Sequence, residues 1–426
     1  MTPPPAASPT HRAIEAVWRL EASKIIATVA RLVRDVGLAE ELAQDALIAA
    51  LEHWPADGLP DNPGAWLMTT ARHRALDRLR QQAMQQRRHE ELGADADALG
   101  THVVPDFVDA LDAARQDDIG DDLLRLIFTA CHPVLPTEAR VALTLKLLGG
   151  LSTAEIARAF LVPEPTVAQR IVRAKRALTA ARVPFEVPPA EARTERLDSV
   201  LDVIYLIYNE GYAATAGADW MRPALCDEAL RLGRVLAALV PQEPEAQGLV
   251  ALLELQSSRA AARVDAQGAP VLLADQDRSR WDPLLIRRGL AALARAQALA
   301  EAGPGWGPYA LQAAIAACHA RAPRAEATDW PQIERLYEAL MAAAPSPVVA
   351  LNHAVAVGMA RGAEAAWPMV QALAQDKALA RYPWLFSVKA DLLTRLGRRA
   401  EAETAFREAA ALTQNERDRA VLLQRA

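Results

Sequence analysis

The stretch 151–178, LSTAEIARAFLVPEPTVAQRIVRAKRAL, constrains this chain more than any other. Ser152 followed by Glu155 forms a capping box, two reciprocal hydrogen bonds that satisfy orphan amides and start a helix. Ile156, Ala157 and Phe160 give that helix an apolar face, and Pro163 stops it by pushing the preceding residue out of the α region. Pro165 suits the first turn of a second helix, where a missing N–H costs nothing. Along that helix Val167, Ile171, Ala174 and Leu178 recur at helical spacing and should face the core. Thr166, Gln169, Arg170, Arg173 and Arg176 fall on the opposite face. The pattern predicts a helix-turn-helix whose second helix enters the DNA major groove. A basic helix hairpin on an ordinary protein surface has the same local signature.

The rest of the chain reads as helix too. It is rich in Ala, Leu, Arg and Glu, and no segment shows the alternation or β-branched clustering of a sheet, so the expected class is all-α. With 426 residues, two to four domains are expected. The net charge of −6 argues against a uniformly basic nucleic-acid coat, but the charge is segregated along the chain. Cys131, Cys226 and Cys318 lie far apart, and adjacent Cys131 and His132 cannot build a tetrahedral site, so buried structural cysteines are expected and no metal or cofactor. The N-terminus lacks a basic and apolar leader, and no run of about 18 apolar residues exists, so a cytoplasmic protein with no membrane partner is expected.

Taken in order, residues 1–10 are a Pro-rich tail, expected to be disordered. A helix over 11–36 should end at Gly37. A second, over 38–54, should bury Leu42, Ala46, Leu47 and Leu51 and show Glu40, Glu41, Gln44 and Asp45 to the outside. The loop 55–64 is dense in turn residues, and a basic helix follows over 65–80. There Leu67, Met68, Ala71, Ala75, Leu76 and Leu79 share one arc, with Trp66, Thr70, His73, Asp77 and Arg80 on the other. A tryptophan on the polar side either offers a platform to unstacked bases or packs under the preceding loop. Arg72, Arg74, Arg78, Arg80, Arg87 and Arg88 stand against Asp77 alone, a phosphate-binding footprint. The recognition hairpin carries a second such footprint.

Two separated patterns now coincide. GLAEELAQDALIAALEHW followed by NPGAWLMTTARHRALDRLR resembles region 2 of bacterial RNA polymerase sigma factors, and 151–178 resembles their region 4. Their order, their short spacing and the absence of a region 3 domain resemble the extracytoplasmic-function (ECF) sigma factors. The runs RLDSVLDVIYLIYNEGYAAT, LLADQDRSRWDPLLI, LQAAIAACHARAP, TDWPQIERLYEAL and APSPVVALNHAVAV resemble the long extension of one ECF group with tetratricopeptide-like (TPR-like) repeats. The resemblance implies that Glu40, Glu41, Gln44 and Asp45 meet the β′ clamp helices of core RNA polymerase, with the β flap as a further polymerase contact. It implies that Asn62, Trp66, Arg72, His73, Arg74 and Arg80 open and read the −10 element, and that Thr166, Gln169, Arg170, Arg173 and Arg176 read the −35 element. His73 stands where many members have Asn, and Pro165 where many have Gly. Between the modules, 91–122 holds ten acids and one base, Arg115. It reads either as a solvated linker or, by the resemblance, as a strand threading the basic cleft and RNA exit path of the polymerase.

The expected divisions are a tail at 1–10, region 2 at 11–90, an acidic linker at 91–120, region 4 at 121–183, a helical middle segment at 184–290 and a TPR-like helical domain at 291–426. YNEGY (208–212) and ADQDRSRW (274–281) read as a pocket or as polar caps, and 264–273 as a small hairpin. Ala390, Gly397, Ala402, Phe406 and Ala409 occupy the small and aromatic positions of a TPR unit, an array that presents a concave surface to a protein or peptide. The leading expectation is a sigma factor regulated in cis by its C-terminal helices. The alternative is a free-standing helix-turn-helix regulator with a TPR-like sensor, which leaves 38–80 unexplained. No catalytic triad, phosphate-cradling loop or metal spacing supports an enzyme, so no catalytic residue is assigned.

Overall fold

A computed structural model describes residues 9–93, 117–160, 162–214, 216–217, 220–266, 268–303 and 305–426. Most of the expected tail (1–8) and of the acidic linker (94–116) lies outside the described residues. The described chain is helical almost throughout and divides into two compact units, Met1–Val203 and Ile204–Ala426.

In the first unit α1 (Pro9–Val33), α2 (Val36–Asp57) and α3 (Pro63–Gly93) pack on one another. Ile25, Ile26 and Val29 of α1, Leu42 and Ala46 of α2, and Leu67, Ala71 and Ala75 of α3 are buried. The break between α1 and α2 falls at Arg34 and Asp35, not at Gly37. Asp35 Oδ1 accepts the Leu38 N–H at 2.9 Å, and a carboxylate that caps an orphan amide outweighs the glycine signal. Asn62 Oδ1 likewise accepts the Ala65 N–H at 3.0 Å, which lets α3 start at Pro63 rather than at 65. Leu51, expected in the core, is exposed.

α4 (Asp117–Ala130), α5 (Thr137–Leu147), α6 (Thr153–Phe160) and α7 (Glu164–Ala180) follow. The capping box forms as expected: Ser152 N–H donates to Glu155 Oε2 at 2.8 Å, and Glu155 N–H to Ser152 Oγ at 3.2 Å. Val167, Ile171, Ala174 and Leu178 are the buried residues of α7, packed against α5 and α6. α8 (Ala190–Tyr212) begins inside the Pro-rich stretch, yet the first unit ends at Val203, part-way along this helix. Hydrogen bonds fix its first half to the end of α4. Arg196 Nη2 donates to the Phe128 carbonyl at 2.7 Å, and Ser199 Oγ to the Cys131 carbonyl at 2.6 Å.

The second unit continues with α9 (Pro223–Leu239), α10 (Pro244–Ser257), α11 (Pro283–Glu301), α12 (Pro308–Arg321), α13 (Trp330–Ala343), α14 (Pro347–Ala360), α15 (Ala363–Leu373), α16 (Pro383–Arg395), α17 (Arg399–Leu412) and α18 (Glu416–Gln424). Each packs on its successor. α10 also crosses α12 so closely that a Cβ on Gly248 would sit 2.6 Å from the Ala310 nitrogen. Ala390, Ala402, Phe406 and Ala409 are buried together between α16 and α17, and Gly397 turns between them at φ +75°. The hairpin expected at 264–273 reduces to one bridge between Val264 and Pro270. A two-residue parallel pairing joins Ala216–Gly217 to Gln414–Asn415, a long-range contact with no local signal. Asp277 and Asp282 cap the elements they precede, while Arg263 lies 3.3 Å over the Tyr212 ring and Arg278 4.7 Å over Trp281. Those contacts account for the two polar, aromatic-rich clusters. All three cysteines are buried and unpaired, and burial pushes the Cys131 thiol up to about 11 and Cys226 to about 12. Among the described residues no helix is long and apolar enough to cross a membrane.

Candidate nucleic-acid interface

The outer face of α7 is built by the pattern that buries its inner one. Gln169, Arg173 and Arg176 are exposed, and Thr166 and Arg170 are half-buried. Among the described residues none of these five side chains makes a hydrogen bond or ion pair. Three guanidinium groups and an amide on one helical face, unneutralised by carboxylates, suit phosphate oxygens and the acceptor edge of guanine.

The second set lies on α3 and the loop before it. His73 and Arg80 are exposed, and Arg72 and Arg74 are half-buried. Arg80 Nη1 lies 3.2 Å from Asp77, and Arg74 Nη1 3.4 Å from Asp45, so two of the expected DNA contacts have acidic neighbours at rest. Neither pair is buried, and surface pairs contribute only about 0–1 kcal/mol, so phosphate oxygens can replace their carboxylates. Trp66 is half-buried and meets the buried Trp54 edge-on, with ring centroids 5.4 Å apart. Both rings line an open cleft of about 490 Å³ with His53, Leu59 and Pro60. Trp66 therefore packs on α2 beside a cleft that the loop also lines. Asn62 uses its side-chain carbonyl for the helix cap.

The acidic face of α2 differs from its expected form. Glu41 is exposed and Gln44 and Asp45 are half-buried, but Glu40 is only 4% exposed. Its carboxylate is bonded by Lys175 of α7 and Gln44, and Lys146 Nζ of α5 stands 3.6 Å away. A helical wheel for α2 alone puts Glu40 in solvent. α5 and α7 cover it, which no local pattern records. Arg19 to Glu155 (2.6 Å) and Thr179 Oγ1 to Asp35 (3.2 Å) join the same two sets of helices.

The sequence spacing also missed a cluster in the second unit. Glu334, Glu338 and His353 each bring one ligand-type atom within 4.8 Å of the others. Glu334 is already paired with Arg361.

Fold and surface together define a helical DNA-binding protein with a basic recognition helix. Residues 18–84 match sigma-70 region 2, residues 125–178 match sigma-70 region 4, and residues 196–297 match a family of unknown function (DUF6596). The chain is 31% identical over 160 residues to the ECF RNA polymerase sigma factor SigK of Mycobacterium ulcerans, covering 37% of this chain and 78% of that one. It is 26% identical over 185 residues to the probable ECF RNA polymerase sigma factor SigI of Mycobacterium tuberculosis, 43% of this chain and 60% of that relative. An uncharacterised protein of Rhizobium meliloti is 47% identical over 386 residues, 90% of this chain and 88% of its own. The chain belongs to the ECF RNA polymerase sigma factor family. Sigma factors are non-enzymatic initiation factors, and the two modules imply binding of core RNA polymerase and promoter DNA.

Proposed function

We propose that α7 reads the −35 element through Thr166, Gln169, Arg170, Arg173 and Arg176, and that the loop before α3, with Asn62, Trp66, Arg72, His73, Arg74 and Arg80, opens and reads the −10 element. Glu41, Gln44 and Asp45 dock on the β′ clamp helices from the start, and Glu40 joins them once Lys175 lets go. The observation that carries this reading is the unpartnered basic face of α7 beside the exposed part of α2. Region 2 occupies 11–90 and region 4 occupies 121–183, with the first half of α8 bonded to it. The C-terminal helices form a TPR-like array that takes a protein or peptide ligand and regulates the sigma modules in cis. Fusion supports such control, because a tethered unit acts at high effective concentration even through a weak contact.

The test is co-purification with core polymerase and promoter-dependent transcription by the intact chain and by fragments. A fragment ending at Val203 keeps the Arg196 and Ser199 bonds to the region 4 helices, whereas one ending at Arg182 loses them. Altered promoter activity in the longer fragment supports regulation in cis, and unchanged activity refutes it. Failure of the intact chain to bind core polymerase refutes the whole reading.

A further inference from the structure

A cleft of about 770 Å³ opens within the first unit, where the junction of α1 and α2 faces the end of α7. Arg31, Arg34, Arg125, Lys175 and Arg182 line it, against Asp35 and Glu186. Three of the cations are engaged. Arg31 and Arg125 lie 3.1 Å and 2.6 Å from the buried Asp122, and Lys175 holds Glu40. Arg34 and Arg182 have no side-chain hydrogen bond or ion pair among the described residues.

Those two share a second property. Arg34 (φ 54°) and Arg182 (φ 48°) are the non-glycine residues with positive φ among the described residues. Each stands just past a helix C-terminus, where glycine ordinarily supplies the left-handed conformation. At the second, Arg182 N–H donates to the Thr179 carbonyl at 3.0 Å and Val183 N–H to the Leu178 carbonyl at 3.1 Å, closing the helix end. The helix dipole favours a cation in a last turn. It does not require that cation at the one position where a side chain is strained. Strain of this kind clusters at ligand clamps and other functional sites, where the surrounding structure holds it in place.

The rest of the lining includes Val36, Leu178, Val183 and Pro184, with Phe185 its one aromatic ring. Guanidinium groups bind phosphate through paired N–H donors, and the volume suits a ligand of nucleotide size. We propose that this cleft binds a nucleoside polyphosphate, with Arg34 and Arg182 on the phosphates and the apolar wall with Phe185 against the base. Both sets of helices build the wall, so the ligand favours the arrangement in which Lys175 holds Glu40. The binding itself does not depend on the promoter reading, because its measurement needs neither DNA nor polymerase.

Titration calorimetry of the intact protein with ATP, GTP and sodium tripolyphosphate at fixed ionic strength tests this. The expected result is a saturable isotherm for at least one nucleotide, tighter than that for tripolyphosphate. Arg34→Gly and Arg182→Gly should each weaken it about tenfold or more, the loss of one charge-assisted contact. Both variants should keep or raise the thermal midpoint, because glycine accepts the left-handed backbone. Arg173→Ala, on the exposed face of α7, should leave nucleotide binding unchanged. No saturable binding, binding that both glycine variants retain, or binding that Arg173→Ala abolishes would overturn the site. Tripolyphosphate binding as tightly as the nucleotides would overturn the nucleoside assignment.

Discussion

Lys175, on the helix that presents Arg173 and Arg176 to solvent, bonds the carboxylate of Glu40 on α2, the position expected to meet the polymerase. α7 and α2 therefore hold one another. Lys175→Ala should loosen that contact. Removing one partner of a buried ion pair costs about 3–5 kcal/mol, and less here because Lys146 remains 3.6 Å from Glu40. The expected outcome is a larger radius by small-angle scattering and tighter association with core polymerase. An unchanged radius and unchanged affinity would mean that this ion pair does not limit opening.

The exposed face of α7 makes a separate prediction for DNA. Arg173→Ala and Arg176→Ala should weaken promoter binding. A lost base contact costs about 1–3 kcal/mol and relaxes specificity, while a lost phosphate contact lowers the salt slope by about 1 for all sequences. Binding isotherms at several salt concentrations separate the two, and wild-type behaviour in both variants would remove α7 as the reader.

Trp66 distinguishes packing from base contact. Trp66→Phe should preserve most of the edge contact with Trp54 and hence the thermal midpoint, while reducing promoter opening detected by a fluorescent base analogue in the −10 element. If Phe supports full opening and only Trp66→Ala fails, with a lowered midpoint, the ring serves packing alone.

Two histidines give an acid limit. Burial, reinforced by Arg259 and Arg278, lowers His319 from 6.5 to about 4, and burial with Arg196 does the same to His132. Between those values the unfolded chain binds a proton that the folded chain refuses, so stability is fully present above about 6.5 and falls as the pH drops toward about 4. Thermal midpoints measured across that window should decline for the wild type. His319→Gln should flatten the decline, and an equal slope in the variant would exclude His319 as a source.

The helix-turn-helix was legible because its information is local. The capping box, two prolines and a 3.6-residue period fall within 151–178, and α6 and α7 form where those signals put them. The class and the outer face of α7 follow from the same kind of signal, whereas the order of modules comes from the family resemblance. Boundaries failed where a side chain outside the periodic pattern capped a helix, as Asp35 and Asn62 do. The attachment of α8 to the end of α4 was not legible, because Ser199 and Arg196 bond carbonyls 68 residues earlier in the chain.

The sequence by itself determined the inward face of α7, Val167, Ile171, Ala174 and Leu178, because amphipathic period and capping act over a few residues. Only the tertiary structure decided what happens to a face that the period leaves polar. Glu40 is charged, lies on the outer arc of α2, and is nevertheless buried, because Lys175, 135 positions later, brings a compensating charge to it. Arg34 and Arg182 likewise read as ordinary surface arginines until the fold sets both beside one cleft in a backbone conformation made for glycine. Pairing of opposite charges and convergence of distant turns depend on the path of the whole chain, and no local window carries that information.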